Sequence, residues 1–155
     1  MAEAQLPISV SVKAAVVADD RILLVRYDDD YGPHFNLPGG KVRVGESLRA
    51  AAVRKVKEET GYDVLPTKVL LVVEYVPEVW ADEFGTRQKV QFQMGCRLEP
   101  AIQTPAVPPI EDLTFRGIEW VQVSRLPEIR LLPRIGARLL HALTAGAPDP
   151  LVDRW

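Results

Sequence analysis

The sequence has few of the features that mark secreted, membrane-spanning or nucleic-acid-binding proteins. It contains one cysteine, Cys96, so no intramolecular disulfide can form, and we expect a reducing, cytoplasmic location. The first residues have neither the basic region nor the apolar run of a signal peptide, and no apolar stretch is long enough to cross a bilayer. The formal net charge is −2, whereas nucleic-acid binding needs a basic face. We therefore expect neither a membrane nor a nucleic acid as a partner.

The composition is that of an ordinary soluble globular protein. Of the 155 residues, 47% are hydrophobic and 26% are charged, which is enough for one domain with a substantial core. We expect a single domain over residues 1–146 and a tail over residues 147–155. The sequence leaves open whether the chain forms a homodimer.

Hydrophobic patterning predicts strands, a helix, more strands and a second helix. Strands at residues 8–18 and 21–27 are expected to form a hairpin around Asp19-Asp20. The further predicted elements are a helix over 47–60 that ends at Gly61, strands over 69–80, 89–98 and 117–123, and a helix over 132–145. Four prolines between residues 99 and 114 predict a stiff, irregular loop. This order is typical of a layered α+β domain.

The helix predicted over residues 47–60 carries charges where an amphipathic helix is normally apolar. At about 100° per residue, Lys55 and Glu59 fall inside the apolar stripe. Glu58 and Glu59 also lie near the helix end, where the dipole disfavours negative charge, so they need a compensating cation. A divalent metal held with the help of Glu46 is one solution. The alternative is a surface helix with the ion pairs Arg54–Glu58 and Lys55–Glu59, each worth about 0.2–0.5 kcal/mol.

The stretch from Gly40 to Tyr62 resembles the Nudix box, G-x5-E-x7-R-E-U-x-E-E-x-G-U, where U is apolar. The matching residues are Gly40, Glu46, Arg54, Val56, Glu58, Glu59, Gly61 and Tyr62. The lead-in from Phe35 to Gly40 is similar to the aromatic-x-Leu-Pro-Gly-Gly entry to the box. The resemblance implies a Nudix-type α/β/α sandwich around a mixed sheet. It also implies an enzyme that hydrolyses a nucleoside diphosphate linked to another moiety.

The resemblance assigns roles to residues of the box. Glu58 and Glu59 would be metal ligands, and Glu46 would support the metal site or bind the ion. Arg54 would hold these carboxylates by bidentate hydrogen bonds. The implied cofactor is Mg²⁺, with Mn²⁺ as a possible substitute.

Other positions would contact the substrate, which is expected to be a small nucleotide. Gly39 and Gly40 would shape the loop, and Gly40 would offer its backbone carbonyl to the metal. Arg26 is a tentative phosphate contact. Pro77 stands fifteen residues beyond Tyr62, a spacing similar to that of the subgroup that cleaves ADP-ribose.

Lys55 departs from the family pattern, which has glutamate at this position as a metal ligand or general base. Three outcomes are open. A carboxylate from elsewhere takes over the role, or Lys55 pairs with Glu59 and lowers the number of metals, or catalysis is lost and a nucleotide-binding regulatory module remains. The preferred substitute base is Glu111 or its neighbour Asp112. The reserve candidates are Glu78, Asp82 and Glu83.

Overall fold

A computed structural model describes residues 7–81 and 84–154, and within these ranges the chain forms eight strands, two α-helices and a single turn of 3₁₀ helix. In chain order the elements are β1 (Ser9–Ala18), β2 (Arg21–Asp29), β3 (Gly32–Asn36), β4 (Gly39–Lys41), α1 (Leu48–Thr60), β5 (Val64–Tyr75), β6 (Lys89–Leu98), β7 (Phe115–Gln122), the 3₁₀ turn (Val123–Arg125), α2 (Gly136–Thr144) and β8 (Leu151–Val152). In the described ranges, no helix has the length and apolar character needed to span a membrane.

The strands form one mixed sheet in the order β3-β2-β1-β6-β5-β8. The predicted hairpin of β1 and β2 is confirmed, with Val17 opposite Ile22. Strand β1 also runs parallel to β6 and antiparallel to the short β4, so it lies at the centre of the sheet. Strand β8 falls in the segment expected to be a tail, and it pairs in parallel with β5.

The two faces of the sheet are covered by different helices, which gives the predicted α/β/α sandwich. Alternate side chains of β1, including Val12 and Val16, are fully buried against Ala52 and Val56 of α1. On the opposite face, α2 packs through residues such as Leu139. The odd-numbered residues of β1 point to this second face, which becomes polar towards Ser9.

Three predicted boundaries are wrong by four residues or more. The strand predicted over 69–80 already begins at Val64. It ends at Tyr75, because the Trp80 N–H donates to the Val76 carbonyl (3.1 Å) and closes a turn. The helix predicted over 132–145 begins only at Gly136. Before it, the Ile135 N–H donates to the Pro133 carbonyl (2.7 Å) and the Leu132 N–H donates to the Phe35 carbonyl (2.9 Å), so this segment forms a turn tied to β3.

Candidate active site

Helix α1 is fixed at both ends by local sequence. Ser47 caps its start by accepting a hydrogen bond from the Ala50 N–H (3.1 Å). Gly61 ends it with φ of 79°, a conformation that favours glycine, and its N–H donates to the Lys57 carbonyl (3.0 Å). The helix therefore presents a defined face to β4, and this face carries the charged residues of the box.

Arg54 joins the helix to the loop that precedes it. Its Nε and Nη2 donate to the two carboxylate oxygens of Glu46 at 2.7 and 2.8 Å, and Nη2 also donates to the Lys41 carbonyl at 3.1 Å. This bidentate geometry is the strong form of an arginine–carboxylate pair. The hydrogen bonds from Arg54 lower the pKa of Glu46 to about 2. Both oxygens of Glu46 are thus committed to Arg54.

Replacing Arg54 by alanine is expected to raise the pKa of Glu46 towards its ordinary value of 4.5, since the group that lowers it to about 2 is gone. Because the folded-state pKa lies below the ordinary one, the stabilising effect of the pair is complete above pH 4.5 and is lost as the pH falls towards 2. An NMR titration of the Glu46 carboxyl carbon measures the shift. Arg49→Ala is the control, because Arg49 lies on the same helix and donates to the carbonyls of Pro66 and Thr67 instead. An unchanged pKa of Glu46 in Arg54→Ala would contradict the assigned cause.

Glu58 lies between two cations. The Nη1 atom of Arg54 is 3.3 Å from both of its carboxylate oxygens, and the Lys55 Nζ is 3.3 Å from Oε2. Desolvation raises the pKa of Glu58, but the hydrogen bonds from Lys55 and Arg54 outweigh it, so the pKa is lowered. Glu58 therefore stays ionised at neutral pH.

Lys55 occupies the point on which the paired glutamates converge. Its Nζ lies 3.2 Å from Glu59 Oε1 and 3.3 Å from Glu58 Oε2. The other oxygen of Glu59 accepts a hydrogen bond from the Gly39 N–H at 3.3 Å. The stem of Lys55 rests on Gly40, where an added Cβ would lie 2.6 Å from Lys55 Cε. The ion pair of Lys55 with Glu59 is thus observed. It is common to the surface-helix alternative and to the second outcome left open above, whose lowered number of metals stays a prediction.

Residues 7–143, most of the chain, match the NUDIX domain family. The chain belongs to this family. It is 34% identical over 130 residues, 83% of its own length and 74% of the relative's, to a putative 8-oxo-dGTP diphosphatase of Bacillus subtilis. It is 39% identical over 71 residues to an ADP-ribose pyrophosphatase of Methanocaldococcus jannaschii, covering 45% of this chain and 41% of that protein.

Solved structures show the same NUDIX fold. A NUDIX hydrolase from Nitrosomonas europaea superimposes with a TM-score of 0.71 at 18% identity, and the alignment covers 97% of this chain and 81% of that one. A MutT NUDIX hydrolase from Burkholderia pseudomallei gives a TM-score of 0.69 at 25% identity, covering 90% and 100%. The predicted Nudix sandwich is therefore confirmed.

NUDIX enzymes generally use a divalent metal, and the geometry of the paired glutamates fits one cation. The ammonium of Lys55 already stands where the carboxylates of Glu58 and Glu59 meet, so these acids present one shared cation position. Hard carboxylate oxygens suit Mg²⁺. Both oxygens of Glu46 are bound to Arg54. Within residues 7–81 and 84–154, we find no group of three His, Cys, Asp or Glu side chains arranged to hold a metal. The fit is for one ion, and it requires the flexible lysine to move aside.

The proposed substitute bases do not join the box carboxylates in this structure. Glu111 is exposed, and within residues 7–81 and 84–154 it does not form a group with Glu58 and Glu59 that could hold a metal ion. Asp112 accepts hydrogen bonds from the N–H and hydroxyl of Thr114 at 2.8 and 2.7 Å, which lower its pKa. Glu78 is exposed. The remaining two candidates, Asp82 and Glu83, lie outside the described residues.

Arg26 lies on β2 and lines a surface pocket. Its Nη2 donates to the Arg116 carbonyl (3.2 Å), and its Nη1 is 3.9 Å from the Glu119 carboxylate. The neighbouring Tyr27 has a raised pKa, caused by burial first and then by the negative charges of Glu59 and Asp112. The charges of Glu59, in the box, and of Asp112, in the proline-rich loop, thus both act on the Tyr27 phenol.

Lys13 is a site residue that the sequence reasoning missed. It lies on β1 opposite Gly39, and a Cβ at position 39 would come within 2.9 Å of Lys13 Cδ. Burial lowers the pKa of Lys13, the charge of Glu59 opposes this effect and that of Lys55 adds to it. Lys13 is therefore a charged neighbour of the box, beside Gly39. A lysine on the polar side of an otherwise apolar central strand was the signal available in the sequence.

Proposed function

We propose that this chain is a Mg²⁺-dependent hydrolase that cleaves the pyrophosphate bond of a nucleoside diphosphate linked to another moiety, such as ADP-ribose or another nucleotide. The observation that carries the proposal is the convergence of the Glu58 and Glu59 carboxylates on one cation, 3.3 and 3.2 Å from the Lys55 ammonium. The relatives named a diphosphatase and a pyrophosphatase support a reaction at a phosphoric anhydride bond.

Each residue of the box has a proposed part in this reaction. Glu58 and Glu59 would hold the ion, and Gly40 would add its backbone carbonyl. The bound metal would neutralise phosphate charge and acidify the attacking water. Arg54 keeps Glu46 ionised and in place, and the Gly39 N–H fixes one oxygen of Glu59.

The Lys55 ammonium would have to give up its position to the metal. Its stem rotates about four bonds, so it can move away from the two carboxylates. Glu111 remains our proposed source of a general base. Its support is the position of its neighbour Asp112, whose charge acts on Tyr27 together with that of Glu59.

A non-catalytic nucleotide-binding module is the second candidate function. One observation favours it: Lys55 and Arg54 already balance the paired acids without any metal. Such a module would bind nucleotides without a metal requirement and without turnover.

Incubation of the purified protein with Mg²⁺ or Mn²⁺ and a panel of nucleotides, followed by chromatography of the products, tests the proposal. We expect release of a nucleoside monophosphate. We expect EDTA to abolish this release, because without the metal no proposed group of the site would neutralise the phosphate charge and acidify the attacking water. The panel is repeated with Glu111→Gln, for which a loss of about 10²-fold or more would identify the proline-rich loop as the source of the base. If calorimetry shows that nucleotides bind, but no metal supports their hydrolysis, the result would instead support the binding module.

A further inference from the structure

A basic pocket lies beside the box, on the face of the sheet opposite α1. The antiparallel pairing of β1 with β4 brings Lys41 next to Ser11, and the parallel pairing of β1 with β6 brings Gln91 next to Ser11 from the other side. With Lys13, Lys89 and Arg87 these residues enclose a cavity of about 370 Å³. None of these side chains stands at a matched position of the Nudix box; Lys41 occupies its first variable position.

The pocket gathers four cationic side chains, Lys13, Lys41, Arg87 and Lys89. In the ranges 7–81 and 84–154, no carboxylate lies within ion-pair distance of any of them. Lys89 donates to the Phe84 carbonyl (3.0 Å), and its Nζ lies 4.1 Å over the Phe84 ring. These contacts fix the position of the ammonium, and neither of them brings a negative charge to it. Like charges held this close repel one another, so a bound anion would stabilise them.

Two buried amides in the same face lack hydrogen-bond partners. Gln91 lines the pocket and is 4% exposed, yet its Oε1 has no partner in the described part of the chain. Gln93, two residues along β6 and opposite Lys13, is fully buried with both amide atoms unpartnered. Burying an unpaired polar group is unfavourable, so such groups mark places where a ligand can complete the hydrogen bonding. Because an amide can rotate to present either its NH₂ or its oxygen, Gln91 can donate to an anion.

The pocket is continuous with the proposed reaction site. Gly40 lines the pocket and also supports the stem of Lys55. Lys13 lines the pocket and lies opposite Gly39, whose N–H donates to Glu59 (3.3 Å). A phosphate chain whose scissile bond lies at the paired glutamates can therefore extend over Gly40 into the cluster of cations.

We infer that this pocket binds a further phosphate group of the substrate, so that the preferred substrate class is the nucleoside triphosphates rather than nucleoside diphosphates that end in a neutral sugar. The inference rests on the proposed function for the position of the scissile bond. The binding of a polyphosphate in the pocket can be measured without any turnover.

Calorimetric titration of the protein with inorganic tripolyphosphate, in the presence of EDTA, tests the pocket directly. We expect binding to the wild-type protein and an increase in Kd of about tenfold or more in Arg87→Gln/Lys89→Met, since two cations are lost. Methionine keeps an unbranched side chain but removes the ammonium that lies over the Phe84 ring. Lys68→Gln/Arg97→Gln is the matched control, because both residues are exposed and lie outside the pocket. If the double variant has a lowered unfolding temperature, Arg87→Gln alone provides the test, because Arg87 is exposed.

Kinetics with ATP and ADP-ribose, which share the same adenosine diphosphate, provide the second readout. We expect the ratio of kcat/KM for ATP over ADP-ribose to exceed one in the wild type and to fall about tenfold in Arg87→Gln/Lys89→Met. Equal Kd values for tripolyphosphate in wild type and variant, with ADP-ribose still hydrolysed, would overturn the inference and leave the proposed function intact. Tripolyphosphate binding that depends on Arg87, without hydrolysis of any nucleotide, would support the pocket and overturn the proposed function.

Discussion

Replacing Glu59 by glutamine is expected to reduce kcat/KM for metal-dependent nucleotide hydrolysis by at least about a hundredfold. The Glu59 side chain is only 14% exposed, and its two oxygens face the Gly39 N–H and the Lys55 ammonium. Glutamine keeps the shape and the hydrogen bond from Gly39 but removes the negative charge. The position between Glu58 and Glu59 then has one negative charge beside it instead of two. A divalent ion there loses one of its two proposed carboxylate ligands.

The measurement is kcat/KM at saturating Mg²⁺, with the unfolding temperature recorded for each protein. Glu128→Gln is the control, since it makes the same charge change at an exposed carboxylate whose ion pair, with Arg125, spans 4.0 Å. Full activity in this control, beside a strong loss in Glu59→Gln at a similar unfolding temperature, would assign the effect to the site. Unchanged turnover in Glu59→Gln would remove Glu59 from the proposed metal site.

The sequence predicts best those elements whose signals are local. Helix α1 has its cap at Ser47, its end at Gly61 and its apolar stripe all within one short segment, so both ends are predicted correctly. The hairpin of β1 and β2 is equally local, since Asp19 and Asp20 form its turn with positive φ values.

The late start of α2 and the formation of β8 depend on contacts between distant parts of the chain. The segment before α2 is tied to β3, because the Leu132 N–H donates to the Phe35 carbonyl, a partner that nothing near Leu132 in the sequence reveals. Leu151–Val152 becomes a strand only because β5 offers it a free edge. Neither segment carries a local pattern that outweighs these pairings.

The residues of the candidate site also fall into two groups: those that the local sequence indicates, and those that only the folded sheet brings together. The helical period alone indicates that Glu58 and Glu59 need a compensating cation, and the structure supplies Lys55 and Arg54. Lys13 was missed because two strand pairings bring it there, with β4 on one side and β6 on the other. Lysines spread along the sequence become one basic pocket only after the sheet has formed.

Replacing Lys55 by glutamate is expected to raise kcat/KM about tenfold or more and to lower the Mg²⁺ concentration that gives half-maximal activity. The substitution removes the ammonium from the point shared by Glu58 and Glu59 and places a third carboxylate beside them. Gly40 leaves room for the shorter side chain, since it already accommodates the lysine stem. Without metal the three acids repel one another, so the unfolding temperature should fall in EDTA and rise with Mg²⁺ more than in the wild type.

Two companion variants separate the reasons for such a gain. Lys55→Met removes the ammonium without adding a ligand, and Lys68→Glu makes the same charge change at an exposed position away from the box. If methionine activates as strongly as glutamate, the lysine acts only as an obstacle to the metal. If glutamate alone activates, the natural protein lacks a ligand or base that the third carboxylate restores. A loss of activity in both Lys55 variants, at an unchanged unfolding temperature, would contradict the expected gain. It would show that the ammonium assists the reaction by contacting a phosphate, at a site that works with two carboxylates.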